Sequence, residues 1–489
     1  MENQDQHFHR SLSLVDGTLL VIGSMIGSGI FIVSADITRN VGSAGWLIVV
    51  WLITGLMTMT AAISYGELSG MFPKAGGQYV YLKEAYNKFI AFLYGWSFFA
   101  VIQTGTIAAV GVAFSKFAAY LLPVVSEDNK ILKLQTGTDA CSQPTFFSIS
   151  AAQIVSIILI VFLTFTNTRG IKGGKIIQNT FTSAKLLSLF GLILAGIFMF
   201  NPEVWNANWV NAWDATKTSL VDACNPDAGF TVNAIAGPLL FAGIAAAMVG
   251  SVFSSDAWNN VTFIAGEMKN PQRNIGLSLF LGTLIVTIIY ISANLIYLSV
   301  LPLNEIAHAP KDRVAVEASK MIFGSIGTAV IAVMIMVSTF GCNNGLILAG
   351  ARVYYTMAQD GLFFKKAGKL NQNGVPQWAL WAQCVVACIL CLSGKYGDLL
   401  DMISFVVVIF YVLTIAGIFI LRAKRPNVER PYKAFGYPLL PALYIVMGIA
   451  FCLLLIVYKP QFTWPGLIIV LIGIPIYFLM NKSSKAINE

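Results

Sequence analysis

Residues 23–31 read Gly23-Ser24-Met25-Ile26-Gly27-Ser28-Gly29-Ile30-Phe31, in the middle of an apolar run that extends over 14–35. Each glycine in a helix interior costs about 1 kcal/mol against alanine, so a helix through this run is weak at its centre. Two readings follow. Gly23 and Gly27 form a small-residue packing face of the GxxxG kind, or the helix is unwound here and its freed N–H groups receive an anion. A second stretch favours the unwound reading. Residues Phe253-Ser254-Ser255-Asp256-Ala257-Trp258-Asn259-Asn260 interrupt another apolar run, 232–264, about half-way along it. An ionisable residue such as Asp256 costs about 2.5–3.5 kcal/mol at the centre of a membrane helix, and marks a functional position.

Outward from these two stretches the chain repeats one theme. Of its 489 residues, 57% are hydrophobic and 11% charged, against about 25% charged in a soluble domain. Twelve runs are long enough to cross a bilayer: 14–35, 46–72, 88–122, 148–167, 177–200, 232–264, 276–301, 324–357, 377–393, 400–421, 438–457 and 463–480. Their length and uniform hydrophobicity exclude the alternating strands of an outer-membrane barrel. The expectation is an all-α membrane protein of twelve transmembrane helices in a single transmembrane domain over 1–489. If the N-terminus is cytoplasmic, the inner segments hold about twice as many Lys and Arg as the outer ones, so both termini are expected inside. Two longer outer loops, 123–147 and 201–231, show no folded domain. The first and sixth runs are corresponding members of two five-helix halves, and paired interruptions of that kind point to a binding site at the midplane of a secondary transporter.

The remaining classes are weaker. The net charge of +8 sits in short segments between apolar runs, and no basic stripe interleaved with aromatics suggests nucleic acid. Of the seven cysteines, five (Cys342, Cys384, Cys388, Cys391 and Cys452) lie inside apolar runs, and none forms a metal-spaced cluster with histidine, so neither a metal nor a cofactor is expected. His7 and His9 on the N-terminal tail give two ligands, short of the usual four. Cys141 and Cys224 are the cysteines of the outer loops, where a disulfide between them is chemically possible. A membrane enzyme would need paired catalytic groups at one depth, and a channel a filter or rows of pore charges. Neither pattern is present.

The stretch GSMIGSGIF, the run FSSDAWNNVTFIAGEMKNPQRN at 253–274, the segment from Asn344-Gly345 through Arg352 to Asp360-Gly361, and the tail RAKRPNVERPYKAFGYPLLPALY at 422–444 resemble the amino acid–polyamine–organocation superfamily. The likeness is greatest to its L-type amino-acid transporter branch and bacterial relatives of that branch. The resemblance implies two inverted five-helix repeats, about 13–200 and 232–421, with peripheral helices over 438–480. It places a substrate carboxylate on the N–H groups of Gly27, Ser28 and Gly29, near the Ser24 and Ser28 hydroxyls, with Ile26 and Ser254 in the same two breaks. The substrate ammonium would meet the carbonyls of Met25, Phe253 and Asp256. Phe253 would close over the substrate, and Asn259 would brace the broken sixth helix. Ser255, Asp256 and Ala257 stand where many L-type relatives carry aromatic and glycine residues.

Lys185 of the fifth run carries two readings as well. It lies roughly 12 Å into its helix at 1.5 Å per residue, within reach of snorkelling to the surface. The resemblance instead implies an ammonium where sodium-coupled relatives hold a cation, bridging the first and eighth helices near Ser338. The expected function is a sodium-independent secondary active amino acid transporter in the cell inner membrane, an antiporter or proton-coupled symporter. Its expected substrate is a neutral L-amino acid; the alternative is a cationic amino acid or polyamine. The lipid bilayer is its solvent, and no obligatory protein partner is expected. Gly17, near the first helix end, is expected to tolerate a side chain better than Gly29.

Overall fold

The computed structural model describes residues 10–138, 144–222, 224, 229–393 and 396–486. The first helix, α1 (Leu14–Met25), starts at a capping box: the Ser13 hydroxyl accepts from the Asp16 N–H, and the Asp16 carboxylate accepts from the Ser13 N–H at 2.8 Å. After a break the chain resumes as α2 (Gly29–Ile32) and α3 (Ser34–Val41), nearly continuous through a helical Val33, and stops at Gly42, whose φ of 58° suits a left-handed cap. Next come α4 (Ala44–Met71), α5 (Gln78–Ala85) and α6 (Lys88–Ser97). A five-residue π turn, Phe98–Ile102, joins α6 to α7 (Gln103–Leu121), so one long span carries a π-bulge in its middle.

A hairpin of β1 (Lys130–Thr138) and β2 (Pro144–Ser150) precedes α8 (Ala151–Thr168), α9 (Ile171–Phe198) and α10 (Pro202–Trp209). A second hairpin, β3 (Thr216–Leu220) with β4 (Phe230–Ala234), leads to α11 (Pro238–Ser254) and the short α12 (Asn260–Phe263). Then follow α13 (Pro271–Val300), α14 (Leu303–Ala307), α15 (Val314–Gln359), α16 (Gln377–Ser393), α17 (Tyr396–Lys424), α18 (Leu439–Tyr458) and α19 (Pro460–Ala486).

Helices dominate, as expected of an all-α membrane protein, and two short hairpins are added in the two longer loops. Their strands alternate, as in Phe147-Ser148-Ile149-Ser150, a period too short for a search tuned to helix-length apolar runs. β4 also takes the first residues of the sixth run, whose helix begins only at Pro238. Ten helical stretches among the described residues are long and apolar enough to cross a membrane, while Pro238–Ser254 and Gln377–Leu392 are shorter apolar helices. The last two helices are among those that bury least, and Leu453, Leu471 and Phe478 face outward as a lipid solvent allows. The proline-rich segment after α17 is loop, as its prolines require.

α1 is central, packed against α9, α13 and α15, while α11 packs against α3, α4 and α17. α4 and α13 come close at Gly66 and Gly276, where a Cβ on Gly276 would lie 3.3 Å from the Gly66 Cα. Small residues of this kind let membrane helices touch along their backbones.

Candidate functional site

A helix that stops inside a bundle leaves carbonyls without partners, and each must be satisfied. The last regular bond of α1 runs from the Ile26 N–H to the Ile22 carbonyl at 2.9 Å. The next five carbonyls find partners on other elements. Gly23 and Ile26 each accept from the Lys185 ammonium at 2.7 Å. Ser24 accepts from the Cys342 thiol at 3.1 Å. Met25 accepts from the Gly27 N–H at 2.8 Å and faces the Tyr290 hydroxyl at 3.0 Å. The Ser338 hydroxyl lies 3.3 Å from the Ile26 carbonyl and 3.4 Å from that of Gly27. Side chains of α9, α13 and α15 thus hold the unwound segment open.

Lys185 does not snorkel: it is fully buried, with its ammonium on two carbonyls of the broken helix. Ser338 meets one of the same carbonyls, so Lys185, the first break and α15 come together. Nearby, the buried Ser24 hydroxyl has no hydrogen-bond partner among the described residues.

The second break lies against the first. α11 ends at Ser254, and Ala257 adopts a φ of 62° before α12. The Ser254 hydroxyl donates to the Gly250 carbonyl at 2.7 Å, and its own carbonyl faces the Tyr290 hydroxyl at 2.9 Å. Tyr290 therefore stands between the Met25 and Ser254 carbonyls, with one proton to serve two acceptors. The Asp256 carboxylate accepts from the Tyr411 hydroxyl at 2.5 Å. Asn259 donates to Gln78 at 3.0 Å, and Gln78 to Thr414 at 3.0 Å, which ties the second break to α5 and α17 as a brace. Phe253 is buried in the same core.

Several expectations change. The Gly27 N–H is spent on the Met25 carbonyl, so it is not an open anion donor in this conformation. The Met25 carbonyl is met from two sides, and that of Phe253 takes the Asp256 N–H at 3.2 Å. The Ile26 carbonyl belongs to Lys185 and Ser338. A Cβ on Gly29 would sit 1.9 Å from the Ser254 hydroxyl, so Gly29 is there to let the two breaks touch. Gly17 is not the permissive position expected, since a Cβ there meets Met268 and Ser278 at 2.5 Å. Cys224 is disulfide-bonded, whereas Cys141 lies outside the described residues, as do His7 and His9. Tyr290, Gln78 and Tyr411 were missed. Tyr290 and Asn294, four residues apart in an otherwise apolar run, were the available signal, because a buried phenol seeks a partner.

The two ends of the bundle differ. At the end away from the N-terminus, a vestibule of ≈ 550 Å³ descends to Val33 and Gly250, ringed by Asp36, Arg39, Asp128 and Asp401. Arg39 pairs with Asp312 at 2.8 Å, and Lys311 with Asp128 at 2.5 Å. That ammonium holds the Asp128 carboxyl below its ordinary range. At the N-terminal end, ion pairs and backbone bonds tie the elements together. Arg352 and Glu267 form a buried pair at 3.2 Å, and the Ser11 and Leu12 N–H groups donate to the Glu267 carbonyl at 2.9 and 3.0 Å. Lys83 and Tyr79 both bind Asp360, at 2.7 and 2.9 Å.

The sequence model of the amino acid permease family matches residues 12–479. The chain is 28% identical over 485 residues to the serine/threonine exchanger SteT of Bacillus subtilis, covering 99% of both chains. It is 27% identical over 476 residues to the large neutral amino acids transporter small subunit 2 of Homo sapiens, covering 96% of this chain and 80% of that one. It is also 26% identical over 480 residues to the b(0,+)-type amino acid transporter 1 of Mus musculus, covering 96% of this chain and 88% of the other. Two helices broken side by side within a bundle of apolar spans, and a family match along nearly the whole sequence, lead to one conclusion: the chain belongs to the amino acid permease family, as a multi-pass membrane transporter of amino acids and not an enzyme.

Proposed function

We propose that this transporter carries neutral L-amino acids without sodium, by exchange or proton-coupled uptake, through alternating access. The observation that carries the reading is the Lys185 ammonium on the Gly23 and Ile26 carbonyls of the broken first helix. A fixed cation there supplies the positive charge that a bound metal ion would otherwise bring to unwound carbonyls. The substrate carboxylate sits at the Ser24 hydroxyl and the N-terminal end of the segment that restarts at Ser28 and Gly29, where the helix dipole favours an anion. The ammonium binds at the second break, at the Asp256 end. There Tyr290 and the Phe253 segment shift to release the Met25 and Phe253 carbonyls.

In this reading the chain has twelve spans, two inverted repeats over 13–200 and 232–421, and peripheral helices over 438–480. Both termini face the cytoplasm of an inner membrane, and the chain works without an obligatory partner. The vestibule is the outer entrance, and Cys141 bonds to Cys224. The likeness to SteT, a serine/threonine exchanger spanning the same length, supports a small neutral substrate. The buried Asp256 carboxylate supports the second reading, a cationic amino acid or amine.

The test is uptake into proteoliposomes in sodium-free buffer. Saturable uptake of a neutral amino acid, faster when the lumen is preloaded with unlabelled substrate or when an inward proton gradient is imposed, is the expected result. Uptake that appears only with a sodium gradient would remove the role given to Lys185.

A further inference from the structure

A groove of ≈ 800 Å³ opens sideways between α4 and α13 at the N-terminal end of the bundle, outside the transport path. Leu56, Met59 and Ile63 form one wall, and Leu277 and Phe280 the other. Its inner end is deep because Gly66 and Gly276 bring the two backbones together, with the Tyr432 ring closing over Gly66. Leu56, Leu277 and Phe280 are 43%, 36% and 38% exposed, so the walls face the bilayer and not a protein neighbour within this chain.

The mouth of the groove is different. Gln272 and Arg273 stand there, and no acidic residue lines any part of it. Arg273 is exposed and has no ion pair among the described residues, and Lys269 and Lys433 are exposed on the adjoining segments. An apolar cleft between two spans, with a guanidinium at its end, has the form of one amphiphile: apolar chain within, anionic head at the rim. Guanidinium groups bind phosphate oxygens through paired N–H donors, and basic pockets between spans select lipid head groups.

We propose that this groove binds one anionic glycerophospholipid, its phosphate on Arg273 and an acyl chain between α4 and α13. The site also touches the machinery that anchors the loop after α17. Glu67, one residue beyond Gly66, accepts from Arg422 at 2.7 Å and from the Ala434 N–H at 2.8 Å. A lipid held against Tyr432 therefore braces that loop on α4.

Native mass spectrometry of protein equilibrated in nanodiscs of phosphatidylglycerol or phosphatidylcholine tests this. The parent should retain the anionic lipid preferentially. Arg273→Gln should lose that preference by about tenfold, the scale of one charge-assisted contact, and Arg273→Lys should keep part of it. Leu56→Trp, which fills the groove from its exposed wall, should reduce retention of both lipids while the protein remains monodisperse. Equal retention of both lipids by the parent, or an unchanged preference in Arg273→Gln, overturns the proposal. So does a dimer mass in place of the lipid adduct, which would assign the groove to a second copy. Thermal stabilisation by inorganic phosphate equal to that by the lipid would reduce the site to a soluble-anion contact and overturn it too.

Discussion

Lys185 shows how much one side chain can carry. Lys185→Ala would strand the Gly23 carbonyl in a dry interior, at about 1–3 kcal/mol for an unsatisfied group, and leave the Ile26 carbonyl to Ser338 alone. The expected result is a monodisperse protein whose uptake falls by more than about tenfold, as the first break loses the cation that shapes it. Wild-type uptake with an unchanged pH profile would return Lys185 to a packing role. Asp256 makes a subtler case. Its carboxylate already accepts from Tyr411, and an amide oxygen can accept the same bond. Asp256→Asn is therefore expected to keep neutral substrates at nearly parental affinity in competition binding. A selective loss of cationic substrates by about ten- to a hundredfold would mean that the carboxylate reads a second amine.

At the scale of elements, the two broken helices act as one device because they touch at Gly29 and Ser254. Gly29→Val is expected to abolish substrate binding by driving α2 away from α11, since even a Cβ overlaps the Ser254 side chain. Gly29→Ala in a Ser254→Gly background should recover part of the binding lost by Gly29→Ala alone; strict additivity would show that the contact is irrelevant. The breaks themselves were legible, because glycine-serine clusters and an acid inside apolar runs are costly and local. Their wiring was not. The partners of Met25, Ser24 and Gly27 come from Tyr290, Cys342 and Ser338, hundreds of positions away, and nothing in a local window distinguishes a bonding tyrosine from a packing one. The hairpins were lost for a different reason: in a chain so apolar, helix-length hydrophobicity hides a period of two. Gly17 misled because distance from the break was taken for freedom from packing, whereas α13 covers it.

For the whole molecule, the excess of basic residues on one side sets the expected orientation. A cysteine introduced at position 366 should resist membrane-impermeant thiol reagents in intact cells, and labelling from outside would invert the proposed topology. Cys224 is already bonded. Mass spectrometry of unreduced peptides should recover it joined to Cys141, linking the hairpin of β1 and β2 to that of β3 and β4. A free thiol at Cys141 would end that assignment.

The bonding at the N-terminal end has a practical corollary. Ser11 and Leu12 run alongside Glu267–Lys269 as a parallel bridge, with the Lys269 N–H returning a bond to the Leu12 carbonyl at 2.8 Å. The tail is therefore hitched to the stretch that follows the second break. Under the proposed alternating access, a fluorophore or spin label at residue 10, paired with a second label on α18, should report each opening as a change in distance. Equally, a bulky affinity handle fused at this end hangs its weight on that stretch, so purification handles belong at the other terminus.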